Sequence, residues 1–410
     1  MSTKFVKIER KFKDGFIHDI SAAVSAEFDR AVPNIREGDS IAIAVGSRGI
    51  NNIAVITKAV VANLKAIGAK PFIIPAMGSH GGATAEGQAA VLEGYGITEE
   101  TMSAPVRSSL QVVELKNDGL QNRVFMDKHA YNADGTIIIN RVKPHTDFHG
   151  PVESGLMKMC VIGLGKHRQA LEMHSFGVYG LRELIPPTAR EVLKQGNIRM
   201  GIGLVENSYD HTSVIRAAKA EGIEALDAEL IGIARSLMPS FPVEKFDILI
   251  VDRMGKDISG VGIDSNIIGR MRIKGELEPQ TPDITAIMVD DLTEASHGNA
   301  TGLGLADFIT KKLYNKIDFQ ATYENILTST FPNRGMTPIV AADALEGMRM
   351  CLRIIGRAAS APRIIRIRDT LSLDRLYVTE NIFEEICDRP DITELGHFDS
   401  IFDANELTVF

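Results

Sequence analysis

The sequence predicts a two-domain α/β protein with largely parallel sheets, and three observations carry the prediction. Apolar runs of strand length alternate with longer stretches of helical spacing. Each strand-like run empties into a glycine-bearing loop before the next helical stretch, which is the rhythm of a doubly wound sheet. The chain has 410 residues, too many for one compact core.

The elements follow in order. "DSIAIAVGSRGI" reads as a strand running into a Gly turn, and "NIAVITKAVVANLKAIGA" as a helix closed by Gly. "KPFIIPAMGSHGG" repeats the strand and Gly turn, and "TAEGQAAVLEGYG" the helix. "GTIIINRVKPH" is a third strand ending in a loop, and "IRMGIGLVEN" a fourth. Two prolines in "LMPSFPVEKF" mark a joint near residue 242. The rhythm then restarts with "DILIVDRMGKDISGVGIDSN" and continues through "ITAIMVDDLTEASHGNATGLGLADF", "TPIVAADALEGMRMCLRIIG" and "IIRIRDTLSLDRLYV". The expected domains are residues 1–242 and 243–410, with the last segment packing back on the first domain. In open α/β sheets ligands sit beyond the carboxyl ends of the strands. Chemistry is therefore expected in the loops after the strands, and the active site in the cleft between the domains.

Composition excludes several classes. The net charge is −8 and no dense Lys/Arg stripe appears, so nucleic acid is not an expected partner. The most basic stretch, "RIIGRAASAPRIIRIRD", alternates Ile with Arg and predicts a strand with one solvated face. Cys160, Cys351 and Cys387 are far apart and odd in number, which implies neither a disulfide framework nor a zinc knuckle. The charged opening "MSTKFVKIERKFKDG" has no apolar core of a signal peptide, and no apolar run approaches membrane-spanning length. A cytoplasmic protein without a membrane partner is expected.

The strand ends carry the candidate residues. Arg48 follows the first strand in "VGSRGI", where it would grip a carboxylate or phosphate, and Gly46 and Gly49 would let the backbone come close to a ligand. The bland alternative is a surface arginine paired with an acid. His80 occupies the equivalent loop in "PAMGSHGGAT" and suits a general base, while Gly78, Gly81 and Gly82 around it suit a phosphate cradle. It could equally be an idle loop histidine. "NRVKPHTDFHG" sets His145 and His149 on either side of Asp147, either a solvated loop or a divalent-metal site built from all three. Lys158 lies in the apolar run "ESGLMKMCVIGLGKH", and His167 and His174 follow on helical spacing. A lysine among such neighbours either snorkels to water, forms a Schiff base or anchors a cofactor. The residues alone leave the three open.

Taken together, Arg48 in "GSRG", His80 in "GSHGG", His145 in "KPH", Lys158 in "SGLMK" and His174 sixteen residues later resemble the nickel-pincer lactate racemase family. The resemblance covers most of the first 240 residues and continues weakly in "GKDISGVGID". It implies two α/β domains and a nickel held by a pyridinium-3-thioamide-5-thiocarboxylate mononucleotide. Carried over, Lys158 is the covalent anchor and His174 the nickel ligand. An acylated lysine has no charge, so its apolar neighbours cease to be a difficulty. The implied activity is racemisation or epimerisation of a 2-hydroxy acid. Arg48 would hold the carboxylate, His80 and His145 would be the two bases, and Lys256 in "RMGKDISG" would assist at the substrate unless it is an ordinary loop lysine. Gly46, Gly78 and Gly81 fall to the cofactor. Proteins that make and insert the cofactor are implied partners.

The chain departs from the family pattern in two places. "HTDFHGPVESGLMK" is longer than the family's usual spacing and has Gly155-Leu156 where a Gly pair precedes the lysine, which makes His149 a rival to His145. The chain has no Trp, so an aromatic wall must be Phe or Tyr. Both departures suggest a distant branch with a substrate larger than lactate. The alternatives are a divalent-metal hydrolase using His145, Asp147 and His149, a non-enzymatic carrier of the nickel cofactor, and a Schiff-base lyase at Lys158. His297 and Asn299 in "ASHGNATGLG" read as a helix-capping turn or as a lining of the cleft.

Overall fold

The computed structural model describes residues 3–31, 33–47 and 49–410. Its main strands along the chain are β1 (Phe5–Arg10), β2 (Ser40–Val45), β3 (Lys70–Pro75), β4 (Val112–Leu115), β5 (Val124–Asp127), β6 (Gly135–Arg141), β7 (Ile198–Glu206), β8 (Thr212–Lys219), β9 (Lys245–Met254), β10 (Asp283–Leu292), β11 (Phe308–Thr310), β12 (Ile339–Ala341), β13 (Ile364–Ile367), β14 (Arg375–Thr379) and β15 (Ile392–Phe398). The chain forms two units, Lys13–Met238 on the one hand and Met1–Phe12 with Pro239–Phe410 on the other.

The unit Lys13–Met238 is built on a five-stranded sheet in the order β3-β2-β6-β7-β8. β3, β2, β6 and β7 run parallel, and β8 closes the edge antiparallel to β7. Ile41 to Val45 are all fully buried, as are Ile137 to Ile139, because a parallel sheet is covered on both faces and reads as an unbroken apolar run. On one face Ile43, Ile137 and Ile202 meet Val24 and Phe28 of the helix Ile20–Ala31 and Ile56, Val60 and Leu64 of the helix Ile53–Ala66. On the other face a side chain at Gly201 would strike Ile223, and one at Gly203 would strike Leu230. These two glycines let the helix Ile223–Leu237 and Leu156 come down onto the sheet. β4 and β5 form a separate antiparallel ribbon.

The second unit holds an eight-stranded sheet in the order β12-β11-β10-β9-β13-β14-β1-β15. From β12 to β13 the strands are parallel, and the remaining pairs are antiparallel. The expected α/β class with two largely parallel sheets is what the chain forms.

Two expectations give way here. Residues 1–242 were expected in one domain, yet β1 pairs with β14 and β15 in the sheet of the other unit. The stretch "FVKIER" was legible only as part of a charged opening, and nothing local says which open edge accepts it. The last segment, expected to return to the first domain, supplies β15 to the sheet that β1 joins. Second, the Ile/Arg alternation does not give β13 a solvated face. All four of its residues are buried, and Arg366 keeps its charge inside by donating two 2.8 Å hydrogen bonds to the Asp252 carboxylate. Among the described residues no helix is long and apolar enough to cross a membrane.

Candidate active site

The loops beyond the carboxyl ends of β2, β3 and β6 carry the candidate residues of the first unit. After β2, Gly46 lies so close to β6 that a side chain there would stand 2.5 Å from Asn140 Oδ1. Asn140 in turn donates from Nδ2 to the Gly155 carbonyl at 2.9 Å, tying the end of β6 to the start of the Lys158 segment. Ser47 Oγ is hydrogen-bonded to His80 Nδ1, which joins the β2 loop to the β3 loop. Arg48 lies outside the described residues.

The β3 loop is held from beneath. Gln88, fully buried, donates from Nε2 to the Gly78 carbonyl at 2.9 Å and to the His80 carbonyl at 3.2 Å. Gly78 has φ +62 and a side chain there would meet Ile162 Cγ2 at 2.8 Å; Gly81 has φ +65 and would strike the backbone of Gly87 and Gln88. Backbone conformation and close approach therefore account for the glycines at 46, 78 and 81 by internal packing.

The β6 loop is organised by Glu153. Its Oε2 accepts the His145 N–H at 2.6 Å, and its Oε1 accepts the Gly150 N–H at 3.0 Å and pairs with His149 Nδ1 at 3.3 Å and with Arg235. Burial pushes this carboxyl up, but the bonds from His149, the two amides and Arg235 outweigh it and hold Glu153 below the usual carboxylate range. The segment that follows starts on a second carboxylate. Asp227 accepts the Leu156 N–H at 2.8 Å and the Met157 N–H at 3.0 Å, capping the helical turn that carries Lys158. Burial lifts Asp227 to about 6 against those two bonds. A side chain at Gly155 would collide with Asp227 Oδ1, which explains the glycine.

Between these supports stand three of the predicted residues. Lys158 Nζ lies 2.6 Å from His145 Nε2. The other ring nitrogen, Nδ1, accepts the Asp147 N–H at 3.1 Å, and the ring stacks on Phe148 with centroids 4.5 Å apart. Burial, then the charge of Lys158, push His145 well below its ordinary value, with Asp147 opposing. His174 is lowered by burial first and by Lys158 second, again against Asp147. His145, Lys158 and His174 thus form one electrostatic cluster with both rings held neutral, and a neutral imidazole is the form that accepts a proton or binds a soft metal.

The other candidates have partners of their own. His149 has a half-exposed side chain turned to Glu153, whereas His145 turns Nε2 to Lys158. The trio His145, Asp147 and His149 therefore does not converge, and no group of three or more His, Cys, Asp or Glu among the described residues is arranged to hold a metal ion. Lys256 belongs to the other unit, where its ammonium donates to the Gly260 carbonyl at 2.7 Å and to Asn325 Oδ1 at 2.6 Å. His297 ends the short turn Glu294–Ser296 with φ 47, the capping role. Sequence reasoning missed Ser47, Asn140, Glu153 and Asp227, whose partners are set by the fold. It also missed Lys166, which is fully buried and 3.0 Å from Asp127 Oδ2.

Comparison with known proteins agrees on the architecture. No family model matches the chain, and no curated protein matches it. Among solved structures that do match is the lactate racemase apoprotein from Thermoanaerobacterium thermosaccharolyticum, at a TM-score of 0.54 and 14% identity, over 90% of this chain and 99% of that one. The likeness is one of fold. At that identity it extends to the α/β fold and not to individual side chains.

Proposed function

We propose that the protein is a racemase or epimerase of a 2-hydroxy acid that uses a nickel-pincer mononucleotide anchored on Lys158. The observation that carries the reading is the contact between Lys158 Nζ and His145 Nε2 beside His174. A neighbouring imidazole is a group that can take up the proton a lysine must lose in order to be acylated. The residues fit the group in two further respects. His174 is a neutral, largely buried imidazole electrostatically linked to the anchor, as a ligand to a soft metal must be. Glu153 and Asp227 spend their bonds on backbone amides and so hold the loop of His145 and the turn of Lys158 in place.

When bound, the cofactor supplies a reversible acceptor for the hydrogen on the substrate's 2-carbon. The remaining work falls to side chains. Arg48 is assigned to the substrate carboxylate on its place in the sequence. Inversion passes through a flat carbon open on both faces, and each face needs a base for the hydroxyl proton. His80, held by Ser47, and His145, backed by Phe148, are assigned these roles. Once Lys158 is acylated its charge no longer depresses His145, so loading the site makes this base stronger.

The test is intact mass and nickel content of protein co-produced with the cofactor-synthesis proteins, with the adduct mapped by peptide mass. An adduct on Lys158 with about one nickel per chain, followed by loss of optical purity in a panel of 2-hydroxy acids, is the expected result. An adduct and nickel without turnover of any 2-hydroxy acid would favour a cofactor carrier. An unmodified Lys158 and no nickel would end the reading.

A further inference from the structure

Lys158 and His174 are sixteen residues apart. In one straight helix they would stand about 24 Å apart on nearly opposite faces, too far for either to feel the other's charge through water. The chain does not run straight between them: the helical run from Leu156 ends at Gly163, and a turn at Leu164 and Gly165 precedes the helix Lys166–His174. The bend is at "GLGK". The helical run from Leu156 closes with the Gly165 N–H donating to the Val161 carbonyl at 2.9 Å, and Lys166, the first residue of the helix Lys166–His174, adopts φ +58.

A left-handed residue is ordinarily glycine. Gly163 and Gly165 next to it show that this turn accepts glycine where contact requires it. Side chains there would strike Met159 Sδ at 2.4 Å and the Val161 carbonyl at 2.5 Å. At 166, however, the chain keeps a lysine, fully buried, in the conformation that suits it least. The side chain must account for the choice. Lys166 Nζ donates to the Pro75 carbonyl and forms an ion pair with Asp127 Oδ2 at 3.0 Å. Pro75 is the last residue of β3, five residues before His80. Asp127 ends β5, and its Oδ1 accepts the Ala130 N–H at 2.9 Å. The same region is stitched by Gln169, whose Oε1 accepts the Phe125 N–H at 2.7 Å, and by Gly78 lying against Ile162 and Ala170.

We propose that Lys166 is a positioning residue: by tying the turn between the two helical segments to Pro75 and Asp127, it sets where His174 stands relative to Lys158 and where the His80 loop lies against them. The inference rests on the reading of Lys158 as anchor and His174 as ligand. It assigns Lys166 no contact with substrate or cofactor.

The test uses the full chain with Lys166→Met and Asp127→Asn together. Met fills the volume, Asn keeps the bond to Ala130, and no buried charge is left without its partner. Hydrogen exchange of the apo chain is expected to quicken in residues 76–82 and 164–175, with the rest of the unit unchanged. In protein co-produced with the cofactor-synthesis proteins, the Lys158 adduct is expected to persist while retained nickel falls about ten-fold, the size of effect that supporting residues have on metal affinity. Unchanged exchange and unchanged nickel would overturn the proposal. Faster exchange throughout Lys13–Met238 would also overturn it, since the pair would then be a general support. If the wild-type chain itself carries no adduct, the anchor reading has failed and the inference goes with it. An adduct with full nickel in the variant would defeat Lys166 alone.

Discussion

The two units treat buried charge differently. Beside β9, buried Arg366 meets Asp252 through two hydrogen bonds, and the buried carboxylate of Asp290 meets the exposed Lys312 at 3.0 Å. In Lys13–Met238, Lys158 meets an imidazole that burial has made neutral. A cation paired with a carboxylate is finished business: removing either partner leaves a stranded charge, and adding a ligand gains nothing. A cation against a neutral ring has its proton balance open to whatever arrives, and such arrangements concentrate where chemistry occurs. Lys166 shows that the first unit also knows the closed form, since it pairs with Asp127.

The sharpest way to break the comparison is to substitute the same residue type in both places. Lys158→Met should abolish adduct and nickel completely and change the thermal midpoint little, because Lys158 is partly exposed. Arg366→Met should leave Asp252 without its partner and cost about 3–5 kcal/mol of stability in urea titration, with any surviving folded protein still able to carry the adduct. If Lys158→Met proved the more destabilising of the two, Lys158 would be a structural lysine and the contrast would be wrong.

Next in size is Asp227, which supports the Lys158 segment from the helix Ile223–Leu237. Asp227→Ala leaves two helix-start N–H groups without their acceptor and should cost about 2–3 kcal/mol, read by denaturant melts. The wild-type pH dependence is also set by sign. A carboxyl raised to about 6 by folding binds its proton more tightly in the native state. Its contribution is therefore fully present at low pH and lost as pH rises through about 6. Asp227→Asn removes that slope; a slope that persists in the variant would have another source.

What the sequence made legible follows from how local each signal is. The strands β2, β3 and β6 and their Gly loops are written in consecutive residues, and so is the capping role of His297. The partner of β1 is not, because an alternating run of six residues pairs with whichever edge the fold leaves open. Arg366 looked solvated because a strand's alternation does not announce that a carboxylate waits on the neighbouring strand. The apolar neighbours of Lys158 suggested a deep lysine, but Lys158 is partly exposed and the fully buried lysine is Lys166, eight positions later. A helical run with a left-handed break turns its faces in a way no fixed period describes. Glu153 and Asp227 were passed over for a related reason: what they do depends on amides they reach only after folding.

The smallest expected effect settles the rivalry between the two loop histidines. His149 has a half-exposed side chain, and its bond to Glu153 is 3.3 Å long. Without it Glu153 still accepts the His145 and Gly150 amides and pairs with Arg235. His149→Ala should therefore shift stability by no more than about 0.5 kcal/mol and leave racemisation near the wild-type rate. His145→Ala should eliminate turnover, because it removes the base and the group facing Lys158 together. Lys158→Gln, whose amide imitates the acylated lysine, sharpens the distinction. The His145 ring should titrate at higher pH in that variant, since the nearby positive charge is gone. Turnover that survives the loss of His145 and dies with His149 would reverse the assignment and move the second base out of the buried cluster to its exposed neighbour.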